Sequence, residues 1–160
     1  MKPSRSRRLS IRSLEGRRLL AAVNIPDDLT SAPDAIVSVP VNIDSATGVR
    51  AAEIRLSYDT SVLDLDADDI DFGSIWGTGS DTQVTANVDD AAGTVVIFVS
   101  ASSALTDVSG SLVELPFSVA NDAVVDSTTV LDLTQVTLNE GQISVDPAPV
   151  SGSDSTDGLI

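Results

Sequence analysis

Ala52-Glu53-Ile54-Arg55-Leu56-Ser57-Tyr58-Asp59 is the stretch that decides how this chain folds. Ala52, Ile54, Leu56 and Tyr58 alternate with Glu53, Arg55 and Ser57, the period of a strand with one face in a core and the other in water. The same period recurs on either side. Val37, Val39, Val41 and Ile43 alternate with Ser38, Pro40 and Asn42, and Val84, Ala86 and Val88 with Gln83, Thr85 and Asn87. Thr94 to Val99 is a continuous apolar, β-branched run after Gly93 and predicts a central strand covered on both faces. Phe98 is therefore expected on a core face, with Tyr58 and Phe117. In Leu112 to Val119, Val113, Leu115, Phe117 and Val119 share a face, while Pro116, with no N–H to donate, predicts a sheet edge or a bulge. Leu131/Leu133, Val136/Leu138 and Ile143/Val145 complete the set, and helical periodicity is confined to a weak stretch at Thr60–Leu65. Short strands separated by Gly, Asp, Asn and Ser turns predict an all-β fold, an antiparallel β-sandwich.

The 160 residues suit one domain, and a chain of this length buries roughly 68–70% of its unfolded surface without a metal or disulfide staple. Cysteine and histidine are both absent. Thiolate and imidazole metal sites, cysteine nucleophiles and Ser-His-Asp triads are thereby excluded. The net charge of −15 hides an asymmetry. Lys2, Arg5, Arg7, Arg8, Arg12, Arg17 and Arg18 crowd the first 22 residues against Glu15 alone, whereas the rest sets two arginines, Arg50 and Arg55, against 23 acids, a balance of −21. Such a body repels phosphate backbones and anionic lipid heads, which excludes nucleic-acid binding by it. Residues 1–22 have no apolar run of signal-peptide or membrane-span length and read as a basic leader. Their Arg/Ser bias is shared by organellar transit peptides. Residues 147–160, rich in Pro, Ser, Gly and Asp, read as a flexible acidic tail, so the domain is expected over 24–146.

Three motifs invite chemistry. Asp64, Asp66 and Asp68 stand at the first, third and fifth positions of a calcium loop, but Asp69 occupies the glycine position and Ile75 that of the bidentate glutamate, so no metal site is expected. Trp76, within Gly73-Ser-Ile-Trp-Gly-Thr-Gly, could stack on a sugar ring; a lone loop tryptophan more often plugs one end of a sandwich. Paired carboxylates suit a glycosidase, yet with this many aspartates pairs arise by chance and no segment builds a cleft. No catalytic residues are expected, and binding is the predicted function.

The order of segments adds a family likeness. A strand carrying Val39-Pro40-Val41 is followed by Ala52 to Asp59 and Ser61-Val62-Leu63. Asn87-Val88-Asp89-Asp90-Ala91-Ala92-Gly93-Thr94-Val95, then Gly110 to Val119, then Val136-Thr137-Leu138-Asn139-Glu140-Gly141 come next. Together, over roughly residues 33–146, they resemble a cohesin domain, the module that docks dockerin-bearing proteins onto scaffolds. Leu14-Glu15-Gly16-Arg17-Arg18-Leu19-Leu20-Ala21 resembles the LExRxLLA leader of secreted bacterial surface proteins. The resemblance implies a jelly-roll sandwich, an extracellular or cell-surface location and a dockerin partner that brings its own calcium, with no cofactor on this chain. It also implies docking through the sheet face that includes the strand entering the Tyr-Asp turn. Glu53 matches the acidic position five residues before the tyrosine, and Arg55 shares its outward face; in isolation the two would be an ordinary surface ion pair. Thr85 and Asn87 stand, with Gln83, where some cohesins place an aromatic contact, and Ser100 and Ser102 where an acidic contact can sit. These six, Glu53, Arg55, Thr85, Asn87, Ser100 and Ser102, are the expected partner-binding residues. A carbohydrate-binding module of similar shape, acting on polysaccharide, is the alternative.

Overall fold

The structure, a computed structural model, describes residues 20–78, 81–106 and 108–160. The leader therefore lies almost wholly outside the described residues. Among the described residues twelve strands follow one another: β1 (Leu20–Ala21), β2 (Val23–Asn24), β3 (Ile36–Ile43), β4 (Ala51–Ser57), β5 (Leu63–Asp64), β6 (Asp71–Phe72), β7 (Thr82–Asp89), β8 (Thr94–Ala101), β9 (Gly110–Val119), β10 (Val130–Leu138), β11 (Ser144–Val145) and β12 (Gly158–Leu159). Among the described residues helix is limited to short 3₁₀ turns such as Ala67–Asp69 and Ser74–Trp76.

Two sheets form the sandwich. One has the order β12-β10-β4-β8-β7 and is antiparallel throughout; the other has the order β2-β3-β9-β5, with β6 also on β9. β1 pairs in parallel with β11. The alternation read from the sequence supplies the core, where Val39, Val41, Ile54, Leu56, Ile97, Leu115, Phe117, Leu131, Leu133 and Leu138 are almost wholly shielded from solvent. Tyr58 and Phe117 meet edge to face, ring centroids 5.1 Å apart. At the β7–β8 turn Gly93 adopts φ 63° and approaches Tyr58 so closely that a Cβ would lie 2.3 Å from its carbonyl oxygen.

Pro116 lies in β9, which is paired with β3 along its length; from Val113 onward, past a register shift, N–H groups of the odd-numbered residues point to β3, as Val119 N–H to Ala35 O shows, and those of the even-numbered ones away, as Ala120 N–H to Val62 O shows. The missing donor of Pro116 therefore faces the gap between β5, opposite Ser118 and Val119, and β6, opposite Val113 and Glu114. The expected edge exists, but only locally.

Four expectations need correction. Phe98 is not in the core: it is 50% exposed, because Val95, Ile97 and Val99 take the inner face of β8 and the period of two turns Phe98 outward. Thr60–Leu65 forms a turn running into β5 rather than helix. The start of the domain includes Ala21, buried in the core, whose carbonyl accepts from Asp146 N–H. Nor does the fold end at 146. Residues 147–160 return along the sandwich, Thr156 is fully buried, and β12 closes one sheet with Thr129 and Ile160 exchanging both backbone hydrogen bonds. Carboxylates replace the missing ladder there. Asp132 accepts from Gly152 N–H, Asp154 from Val150 and Thr156 N–H, and Asp157 from Asp154 and Leu133 N–H. Gly158 is required by packing, since a Cβ would sit 2.2 Å from Ile25 Cγ2.

Candidate functional site

The outer face of the β12-β10-β4-β8-β7 sheet is a grid whose rows follow from the strand registers. One row runs Thr137, Glu53, Phe98, Thr85; the next runs Gln135, Arg55, Val96, Asn87. A row at one end carries Ala51, Ser100 and Gln83, and one at the other carries Asp132, Ser57, Thr94 and Asp89. Residues directly opposite across antiparallel strands point to the same side, so each row is a line of neighbouring side chains.

Of the six expected contact residues, Glu53, Arg55, Thr85, Asn87 and Ser100 fall on this one face. Ser102 does not: it lies past the end of β8, and its carbonyl accepts from Arg50 Nη2 at 2.7 Å. Arg55 folds onto Glu53, with Nε donating to Oε1 at 2.7 Å and Nη2 2.6 Å from the same oxygen. Both contacts land on Oε1, which leaves Oε2 as an acceptor. In β10 the register shifts between Leu133 and Gln135, and at this bulge Thr134 Oγ1 donates to the Arg55 carbonyl while Gln135 Nε2 donates to Thr137 Oγ1. Phe98, absent from the expected set, stands between Glu53 and Thr85 at the middle of the grid. The phase of Val95, Ile97 and Val99 is the signal that reveals it.

The other motifs resolve into structural roles. Trp76 is buried, and its indole N–H donates to Leu112 O at 2.9 Å, so it plugs the sandwich and offers no ring to a sugar. Asp66 caps the Ala67–Asp69 turn by accepting from Asp68 N–H, and Asp71 accepts from Phe72 N–H. Among the described residues no three carboxylates gather in a way that could hold a metal ion. Hydrogen bonds from Ser61 and from Thr156 hold the carboxyls of Asp59 and Asp154 below the usual carboxylate range, and burial, reinforced by Asp90, Asp64 and Asp89, raises the Tyr58 phenol above its ordinary value. None of these shifted groups lies in the central rows of the grid. No helix of the described residues is long and apolar enough to cross a membrane.

No curated protein matches the chain. Solved structures share its fold at low identity. The third cohesin ScaC in complex with the ScaB dockerin, from Acetivibrio cellulolyticus, is 19% identical with a TM-score of 0.64, covering 88% of this chain and 96% of the other. A type II cohesin domain from the cellulosome of the same organism is 15% identical with a TM-score of 0.65, covering 88% and 95%. A non-cellulosomal cohesin from the hyperthermophilic archaeon Archaeoglobus fulgidus is 18% identical with a TM-score of 0.64, covering 87% and 88%. The family model described as "Cohesin domain" matches residues 21–153, which takes in the rows of the strand grid and the first half of the returning C-terminal segment. The chain belongs to the cohesin domain family.

Proposed function

We propose that this chain is a non-catalytic docking module that binds a dockerin-bearing protein through the outer face of the β12-β10-β4-β8-β7 sheet. The observation that carries the reading is the uninterrupted β4-β8-β7 ladder, which sets Glu53, Arg55, Thr85, Asn87 and Ser100 on one uncovered surface of a cohesin fold. Glu53 Oε2 and the hydroxyl and amide groups around it suit a partner that presents donors, and a charge-assisted hydrogen bond contributes roughly 1.5–3 kcal/mol. Calcium belongs to the partner's loops in this reading. The basic leader and the lysine-free acidic body suit an extracellular or cell-surface setting. A polysaccharide-binding role has less support, since the sole tryptophan is buried in the core.

Titration calorimetry with calcium-loaded dockerin domains from the source genome tests this. Wild type should bind, chelation should abolish binding, and Glu53→Ala should weaken it about tenfold or more, the loss of one charge-assisted bond. Unchanged affinity in Glu53→Ala would move the site off this face. A polysaccharide bound where no dockerin binds would replace the reading.

A further inference from the structure

The grid is electrically unlike the rest of the molecule. Outside the leader the chain carries 23 acids and two arginines. Yet the two central rows hold eight side chains whose only charges, Glu53 and Arg55, neutralise one another. The acids at the end of the grid are engaged within the fold: Asp89 accepts from Ala91 and Ala92 N–H, and Asp132 from Gly152 N–H.

Phe98 is the second anomaly. The other large apolar residues exposed among the described residues are Leu20, Ile36, Val124, Val125, Val130 and Val150. Each of these begins a strand or lies in a connecting segment, whereas Phe98 is the fifth residue of the eight in β8, with a paired strand on either side. A half-exposed aromatic ring at the centre of a neutral, polar platform has the layout of an interface anchor with a hydrogen-bonding surround.

Resting on the docking reading above, we infer that Phe98 is the specificity-determining anchor of the face. The partner it fits is a dockerin whose recognition surface offers an apolar pocket rimmed by hydroxyl and amide groups and has no net acidic charge. The neutral rows let an uncharged surface seat without stranding an ion, and the surrounding negative potential turns away acidic competitors. Affinity therefore comes from burying the ring and from short-range hydrogen bonds, and depends little on ionic strength.

Calorimetric titration of a calcium-loaded dockerin that binds wild type, repeated with Phe98→Ala and Phe98→Thr, tests the inference. Phe98→Thr keeps a strand-favouring residue at that position. Both variants should keep the wild-type melting temperature within a few degrees and lose roughly tenfold to a hundredfold in affinity. Raising NaCl from low to high concentration should change the wild-type Kd less than about threefold, because the central face has no net charge to screen. Full affinity in a folded Phe98→Thr, or a Kd that rises tenfold or more with salt, would overturn this assignment and leave the docking reading standing. If no dockerin binds wild type, both fall.

Discussion

The two sheets of the sandwich share one core and differ in everything they turn outward. The β2-β3-β9-β5 sheet is interrupted: β9 is flanked by two two-residue strands with a gap between them, and Pro40 and Pro116 both lie in its long strands. Its outer face is held by local polar contacts, as where Ser38 Oγ donates to Glu114 Oε2 at 2.9 Å. β4, β8 and β7 instead run in unbroken register with no proline and present Phe98 at their middle. Both sheets bury an inner face, β7 only in part, so the core does not demand the regularity of one and the breaks of the other. A continuous ladder keeps rows of side chains at fixed spacing, which a recognition surface needs and a structural face does not.

The sharpest contrast is between two phenylalanines. Phe117, fully buried in the interrupted sheet, should cost about 3–5 kcal/mol when changed to Ala, as large cavities do. Phe98→Ala should cost less than about 1 kcal/mol, since its ring is half in water. Urea denaturation of both variants measures this, and comparable losses would erase the distinction between an inner and an outer aromatic.

Acid should act next, and unevenly. The Asp154 carboxyl is held below its ordinary value by Thr156 and by the Val150 and Thr156 N–H groups. The stability it contributes is whole above the unfolded value near 4 and is lost as pH falls towards the lower folded one. On lowering the pH below about 4, hydrogen exchange should therefore quicken at Ile160 and Thr129, where β12 meets β10, before it does along β4 and β8. Simultaneous release would mean that the returning segment is as firmly held as the central ladder.

Smallest is the expected effect on the far sheet. Ser38→Ala and Glu114→Gln should each change stability by no more than about 0.5 kcal/mol and leave dockerin affinity unaltered. A loss of affinity in either would place recognition on the interrupted face.

The period of two made most of this architecture legible, because each strand has one buried and one wet side. It failed where that signal was masked. Val95, Val96, Ile97, Phe98 and Val99 are all apolar, so composition hid the outward turn of Phe98 that phase reveals. Residues 147–160 have a linker's composition, and their order comes from carboxylates accepting backbone N–H groups across the chain, which no periodicity records. Glu53 and Arg55 were legible as outward neighbours on one strand. Ser102 lies beyond the central strand, as the sequence suggested, and past Ala101 no ladder pairing fixes it beside the other five.

The plugged tryptophan gives the molecule a built-in optical gauge. The chain has one Trp, and its indole is shielded from water and hydrogen-bonded to the Leu112 carbonyl in β9. A sequestered indole emits at shorter wavelength than a solvated one, so a red shift reports specifically that the interrupted sheet has parted from the Ser74–Trp76 turn. Unlabelled emission can thus time the opening of that sheet, while backbone exchange follows the sheet opposite.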